Sequence, residues 1–172
     1  MNKRILVAYA TKSGTTLQVA RTIVETLRTS ASVECLRADH ISDISRYDAV
    51  IIGSGVRAGK WLKEAHSFVE RFQGALQERP VAYFTVCITM ADDTPENRDA
   101  VIQYMQPERE LVEPVSMGLF AGKLDPALLT WSERLLIKFY QVPEGDFRDW
   151  DSIAAWTKHI QPMLLGETAV AS

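Results

Sequence analysis

A doubly wound α/β domain, five parallel strands with helices on both faces, is the fold that this 172-residue chain predicts. Three observations predict it. Strand-like and helix-like stretches alternate from the first residues, the strand-like runs are apolar throughout, and no repeat, low-complexity tract or Gly/Ser linker interrupts the order. Strands that are apolar throughout and separated by helices pair in parallel with both faces covered, because right-handed crossovers place helices on each side.

The first strand is Arg4 to Ala8, and Leu17, Ala20, Val24 and Leu27 recur after it at helical spacing. Val33 to Leu36 is a short second strand. The connection from His40 to Asp48 is too short for a regular helix and predicts a turn or a single helical loop. Ala49 to Ile52 forms the third strand, ending at Gly53, and Trp61, Ala65, Phe68, Val69, Phe72 and Leu76 mark one face of the second helix. Pro80 introduces a fourth strand, Val81 to Ile88. Thr94-Pro95 starts a third helix, which Pro107 is expected to stop. A fifth strand lies within Leu111 to Ala121, with Pro114 arguing for an edge position. A final amphipathic helix runs from about Asp149 to Gln161. The domain is expected over residues 1–165, with 166–172 as a flexible tail.

Composition removes several function classes. The net charge of -3 and the lack of a basic stripe with interleaved aromatics argue against nucleic-acid binding. No apolar run approaches the roughly 18 residues of a membrane span, and the start MNKRILVAYA lacks the pattern of a signal peptide. Cys35 and Cys87 are far apart with no C-x-x-C pair, which suits a reducing, cytoplasmic compartment. His40, His66 and His159 stand singly, so no metal site is expected.

In an open parallel sheet, ligands bind outside the carboxyl ends of the strands. Three loops qualify: Ala10 to Thr16, Ser54 to Trp61, and Thr89 to Asp93. The first crowds Thr11, Ser13, Gly14, Thr15 and Thr16 before a helix, giving hydroxyls and backbone N-H groups at the positive end of a helix dipole. A phosphate is the ligand that asks for this. The plainer alternative has Ser13 or Thr15 merely capping the helix. Lys12 precedes the only glycine of the loop, which excludes a nucleoside-triphosphate loop. GSGVRAG, Gly53 to Gly59, follows the wrong strand for a dinucleotide fingerprint and places its last glycine one position late. Strand three ends without the aspartate of a phosphoacceptor. Arg57, Lys60 and Trp61 give the second loop charge and a flat face, Trp61 being equally suited to the core. Cys87 reads as an inert buried thiol, and Ser13 lacks a nucleophile elbow, so a cofactor must carry any chemistry.

TKSGTT after the first strand resembles the flavodoxin phosphate signature T-x-T-G-x-T, with Ser13 for the second threonine. The likeness extends over residues 3–165. It implies a flavodoxin-like fold of strand order 2-1-3-4-5, with FMN at the switch between strands one and three. Within that superfamily the chain is similar to the short flavodoxin-domain proteins related to menaquinone-dependent protoporphyrinogen dehydrogenase. SGVRAGKW, MGLFAGKL and an insertion between Gly122 and the last helix carry that likeness. It implies an FMN-dependent oxidoreductase acting on protoporphyrinogen or a similar hydrophobic donor, with a quinone acceptor and a role in heme biosynthesis.

Carried onto this chain, the resemblance implies cofactor contacts from Thr11, Lys12, Ser13, Gly14, Thr15 and Thr16, then Ser54, Gly55, Val56, Arg57, Gly59 and Trp61, and finally Cys87, Ile88, Thr89 and Met90. No catalytic acid or base stands out. The loop TMADD offers no tyrosine for the flavin, which leaves one ring face to Trp61 or Met90, or open to a reactant. Asp92 and Asp93 would disfavour an anionic reduced flavin. The insertion predicts an extra helix starting at Asp125-Pro126, with Leu128, Trp131, Leu135 and Phe139 in one apolar line. Such a helix over 125–140 either touches the inner face of the membrane or a hydrophobic substrate, or docks on the sheet edge as core. A one-electron flavodoxin carrier, and a binding module without FMN, are the alternative functions.

Overall fold

The computed structural model describes residues 2–167, so most of the expected tail lies outside the described residues. The described residues form eight strands and seven α-helices. The strands are β1 (Arg4–Ala10), β2 (Ser32–Arg37), β3 (Ala49–Arg57), β4 (Lys60–Trp61), β5 (Val81–Cys87), β6 (Ser116–Ala121), β7 (Lys123–Leu124) and β8 (Gly145–Asp146). The helices are α1 (Thr15–Leu27), α2 (Lys63–Arg71), α3 (Gln73–Gln77), α4 (Pro95–Tyr104), α5 (Gln106–Leu111), α6 (Trp131–Phe139) and α7 (Trp150–Leu165).

Five long strands pair in the order β2-β1-β3-β5-β6, all in parallel. Counting long strands alone, this is the expected 2-1-3-4-5. Every residue of β5 is buried, as are Ile5 to Ala10 of β1 and Ala49 to Ser54 of β3. Successive side chains of each strand enter opposite layers. Val7, Ile51 and Phe84 face α1 and α7, while Leu6, Ile52 and Tyr83 face α2 and α3. Burying each large apolar side chain contributes about 1.5–3 kcal/mol, so these two layers hold the sheet rigid beneath its loops.

The first crossover without a regular helix is a short 3-10 turn, Ala38–His40, followed by irregular chain, as expected. Pro107 does not end the helical region. It sits in the first turn of α5, where a proline N-H is not needed, so Leu111 is helical and β6 starts only at Ser116. Beyond β6, β7 and β8 form a two-stranded antiparallel ribbon carrying a 3-10 turn, Pro126–Leu128, and α6. The single helix expected from Asp125 is therefore two pieces. Thr130 restarts the helix through a capping box, accepting from Glu133 N while Glu133 Oε2 accepts from Thr130 N at 2.9 Å. α7 extends past Gln161 to Leu165 and ends where Gly166 adopts φ 68°.

Candidate functional site

A cleft of about 300 Å³ opens at the carboxyl ends of β1, β3, β5 and β6. The loop after β1 forms one end. Thr11 Oγ1 accepts from Gly14 N at 2.9 Å, folding the chain back, and Gly14 then takes φ 86°, a left-handed conformation that glycine adopts without a steric cost. No side chain caps α1, and its first turn holds no acid. The hydroxyls of Ser13 and Thr15 instead lie 3.2 Å from each other. The first bond into the helix runs from Gln18 N to Gly14 O, so the N-H groups of Thr15, Thr16 and Leu17 precede it. This geometry goes against the capping alternative. It fits a phosphate: donors remain at the positive helix end, and the cleft lining contains Lys123 and Lys12 but no acid, Lys12 Nζ standing 3.5 Å from Glu64 Oε1 just outside it.

The loop after β3 is a tight hairpin. β4 pairs with β3 through Val56 with Trp61 and Arg57 with Lys60, leaving Ala58 and Gly59 as the turn. Both have positive φ, 52° and 69°, the combination that a two-residue I′ turn needs. The turn carries Gly59 into the cleft lining, where an added Cβ would stand 3.5 Å from Tyr104 Cε1. Behind the hairpin, Ser54 is fully buried; its hydroxyl donates to Gly55 O and accepts from Leu62 N. Trp61 also goes to the core. Its indole N-H donates to Thr85 Oγ1 at 2.7 Å, and its ring meets Tyr83 edge-on.

At the far end, Cys87, Ile88 and Thr89 line the cleft. Burial pushes the Cys87 thiol up from its ordinary pKa, which keeps it protonated near neutrality. The structure thus brings Thr11, Lys12, Ser13, Thr15, Thr16, Gly55, Val56, Gly59, Cys87, Ile88 and Thr89 to one cleft, with Gly14 shaping its turn. It places Ser54 and Trp61 behind the wall. Met90 packs with Val101 and lines a different groove along β6, and Arg57 reaches outward to Glu133 Oε1 at 2.5 Å. Asp92 and Asp93 are absent from the lining, and Asp93 is held by Arg98 in a bidentate pair.

Sequence reasoning passed over Leu62, Val86, Tyr104, Gly122, Lys123 and Leu124. The last three follow β6, so the rule that ligands lie at strand carboxyl ends would have found them. Tyr104 arrives from the end of α4 and has no local signal.

The description Flavodoxin domain matches residues 6–151. The chain belongs to the flavodoxin-domain family. Protoporphyrinogen IX dehydrogenase (quinone) of Escherichia coli K12 is 21% identical, over 91% of this chain and 94% of that protein. Flavodoxin 2 from Bacillus cereus superposes with TM-score 0.59 at 21% identity, covering 90% of this chain and 95% of its own. A Fusobacterium nucleatum flavodoxin mutant bound to flavin mononucleotide gives 0.59 at 12% identity, covering 95% and 98%. At such identities the structural likenesses speak for the fold. The flavodoxin-domain assignment agrees with the position of the cleft, at the switch between β1 and β3.

The insertion after β6 stands beside this cleft and does not complete the core. No residue of α6 is buried, and Trp131 is 75% exposed and Phe139 79%. Leu128, Leu135, Leu136 and Tyr140 are exposed with them. The expected alternative of a helix docked on the sheet edge is thereby corrected: α6 is held by its stalk and by the Arg57–Glu133 pair.

Proposed function

We propose that this chain is an FMN-dependent oxidoreductase that takes electrons from a hydrophobic donor of the protoporphyrinogen kind and passes them to a quinone. The observation that carries the reading is the pairing of an acid-free, lysine-bearing cleft at a helix start with an unburied apolar helix beside it. The distant likeness to a quinone-linked dehydrogenase supports it.

When bound, the flavin supplies the redox chemistry. The amides of Thr15, Thr16 and Leu17 and the hydroxyls of Ser13 and Thr15 would hold its phosphate, with Lys123 and Lys12, the latter shared with Glu64 at 3.5 Å, offsetting the charge. Val56, Leu62, Val86, Ile88 and Leu124 would exclude water from the rest of the cleft, and Tyr104 would supply an aromatic wall. No lining side chain is assigned as an acid or base.

α6 carries the reaction to the bilayer. Trp131, Leu135, Leu136 and Phe139 form an interfacial face, with Lys138 as a cation for lipid headgroups, while the Arg134 guanidinium donates back to Pro126 O. No described helix is long and apolar enough to cross a membrane, so the contact is peripheral. The free thiols of Cys35 and Cys87 suit the cytoplasmic side.

The test is reconstitution with FMN followed by a coupled protoporphyrinogen and menadione assay. Turnover supports the proposal; FMN retention without turnover would indicate a one-electron carrier instead. A Leu135→Ser, Phe139→Ser double variant should keep FMN and lose about tenfold in binding to anionic vesicles, read by co-sedimentation. Unchanged sedimentation would remove the membrane role.

A further inference from the structure

A second cavity of about 440 Å³ adjoins the cofactor cleft, sharing Ile88 and Thr89 with it. Its other walls are Ala91, Asp92 and Asn97 on one side and Tyr140 to Pro143 with Phe147 on the other. It is thus built between the loop after β5 and the end of the insertion helix. The lining is apolar at Ile88, Ala91, Val142, Pro143 and Phe147, polar at Thr89, Asn97, Tyr140 and Gln141, with the Asn97 amide already donating to Asp92 O, and its one carboxyl, Asp92, faces no lining lysine or arginine.

We infer that this cavity is the quinone site, holding a neutral quinone ring with the Gln141 amide donating to a carbonyl oxygen. The inference rests on the FMN-dependent reading above and names the acceptor's place within it. Charge decides between the two reactants. A porphyrinogen carries carboxylates, which would meet Asp92 with no cation to balance them; a quinone has two neutral carbonyl acceptors and an apolar ring. Contact with the cofactor cleft through Ile88 and Thr89 puts that ring beside the electron source. The donor loses two electrons and two protons, and the quinone gains the same count, its two carbonyls becoming hydroxyls.

Gln141 bears a second mark. α6 ends in a Schellman motif, with Gln141 N donating to Lys138 O and Val142 N to Ile137 O. The left-handed position of that motif is usually glycine, yet here glutamine holds φ 52°. A side chain kept where the backbone disfavours it points to work for the amide.

The experiment is an amide NMR titration with menadione, run on the wild type and on Gln141→Gly, with and without FMN. Shifts should concentrate at residues 88–92, 97 and 140–143. Gln141→Gly should weaken menadione binding about fivefold, the loss of one neutral hydrogen bond, while raising the melting temperature by relieving the left-handed strain. A purely structural Gln141 would give the stability gain alone, and that result overturns the assignment. Shifts confined to 131–138, or coproporphyrin shifting 88–92 and 140–143 more tightly than menadione, also overturn it. FMN uptake is scored separately by flavin absorbance. Its failure would defeat the proposed function, whereas FMN uptake without quinone shifts at these residues would defeat the quinone site alone.

Discussion

At Gly53 an added Cβ would lie 1.9 Å from Phe84 Cζ, the residue paired with it across β3 and β5. This glycine makes room for an aromatic ring in the core and has no part in holding a phosphate, although it opens the glycine-rich GSGVRAG stretch. Gly53→Ala should therefore destabilise the fold by about 1–3 kcal/mol in urea unfolding, because Phe84 is fully buried and has little room to move. A variant as stable as wild type would show that the ring yields. Gly14 is the opposite case. Nothing lies within 4 Å of its Cβ position, so only its φ of 86° resists a side chain. Gly14→Val should leave helical circular dichroism intact and reduce FMN affinity about tenfold or more by displacing the amides of the next turn. Equal FMN affinity would mean that the loop does not hold the cofactor. Trp61 illustrates what a single sequence leaves open. Its register with Ala65 and Phe68 and its place after a loop suited two roles, and the buried hydroxyl of Thr85, which takes its indole N-H, settled the matter.

Among elements, the parallel strands were legible because continuous apolar runs between helices admit few other arrangements. The edge position of β6 was legible from Pro114. Local capping was harder to weigh. Pro107 signals a stop, yet after Met105 it begins α5, and the Thr130-Glu133 box divides an apolar line that looked continuous from Asp125. The stalk of the insertion had no apolar signal, since β7 and β8 contribute only two residues each. Its clasp is ionic. Arg148 makes a bidentate pair with Asp146, holding that carboxyl down at about 2, and also binds Gln18 on α1. Because the folded pKa is depressed, the clasp contributes above the ordinary carboxylate range and is lost as pH falls from about 4 toward about 2. Asp146 is 45% exposed, so solvent screening keeps the effect small. Asp146→Asn should show a weaker acid limb than wild type, with the two converging near the low end, when the Phe147 amide is followed by NMR. Parallel titrations at all pH values would contradict the clasp.

For the whole molecule, the strand order and both helical layers place one acid-free cleft at the switch between β1 and β3, with an apolar helix in solvent beside it. The end of that cleft formed by Thr11 to Thr16 was legible as a cleft wall because consecutive residues build it. Tyr104 and the cavity between the loop after β5 and the insertion were not, because residues far apart in the chain meet there only after α4 and the insertion fold back. The central claim is that main-chain amides at the start of α1 grip the phosphate of FMN. Calorimetry of the FMN-free protein with FMN and with riboflavin tests it most directly. FMN should bind at least about tenfold more tightly than riboflavin, which lacks the phosphate. Equal affinity for the two, or no heat with either, would contradict it.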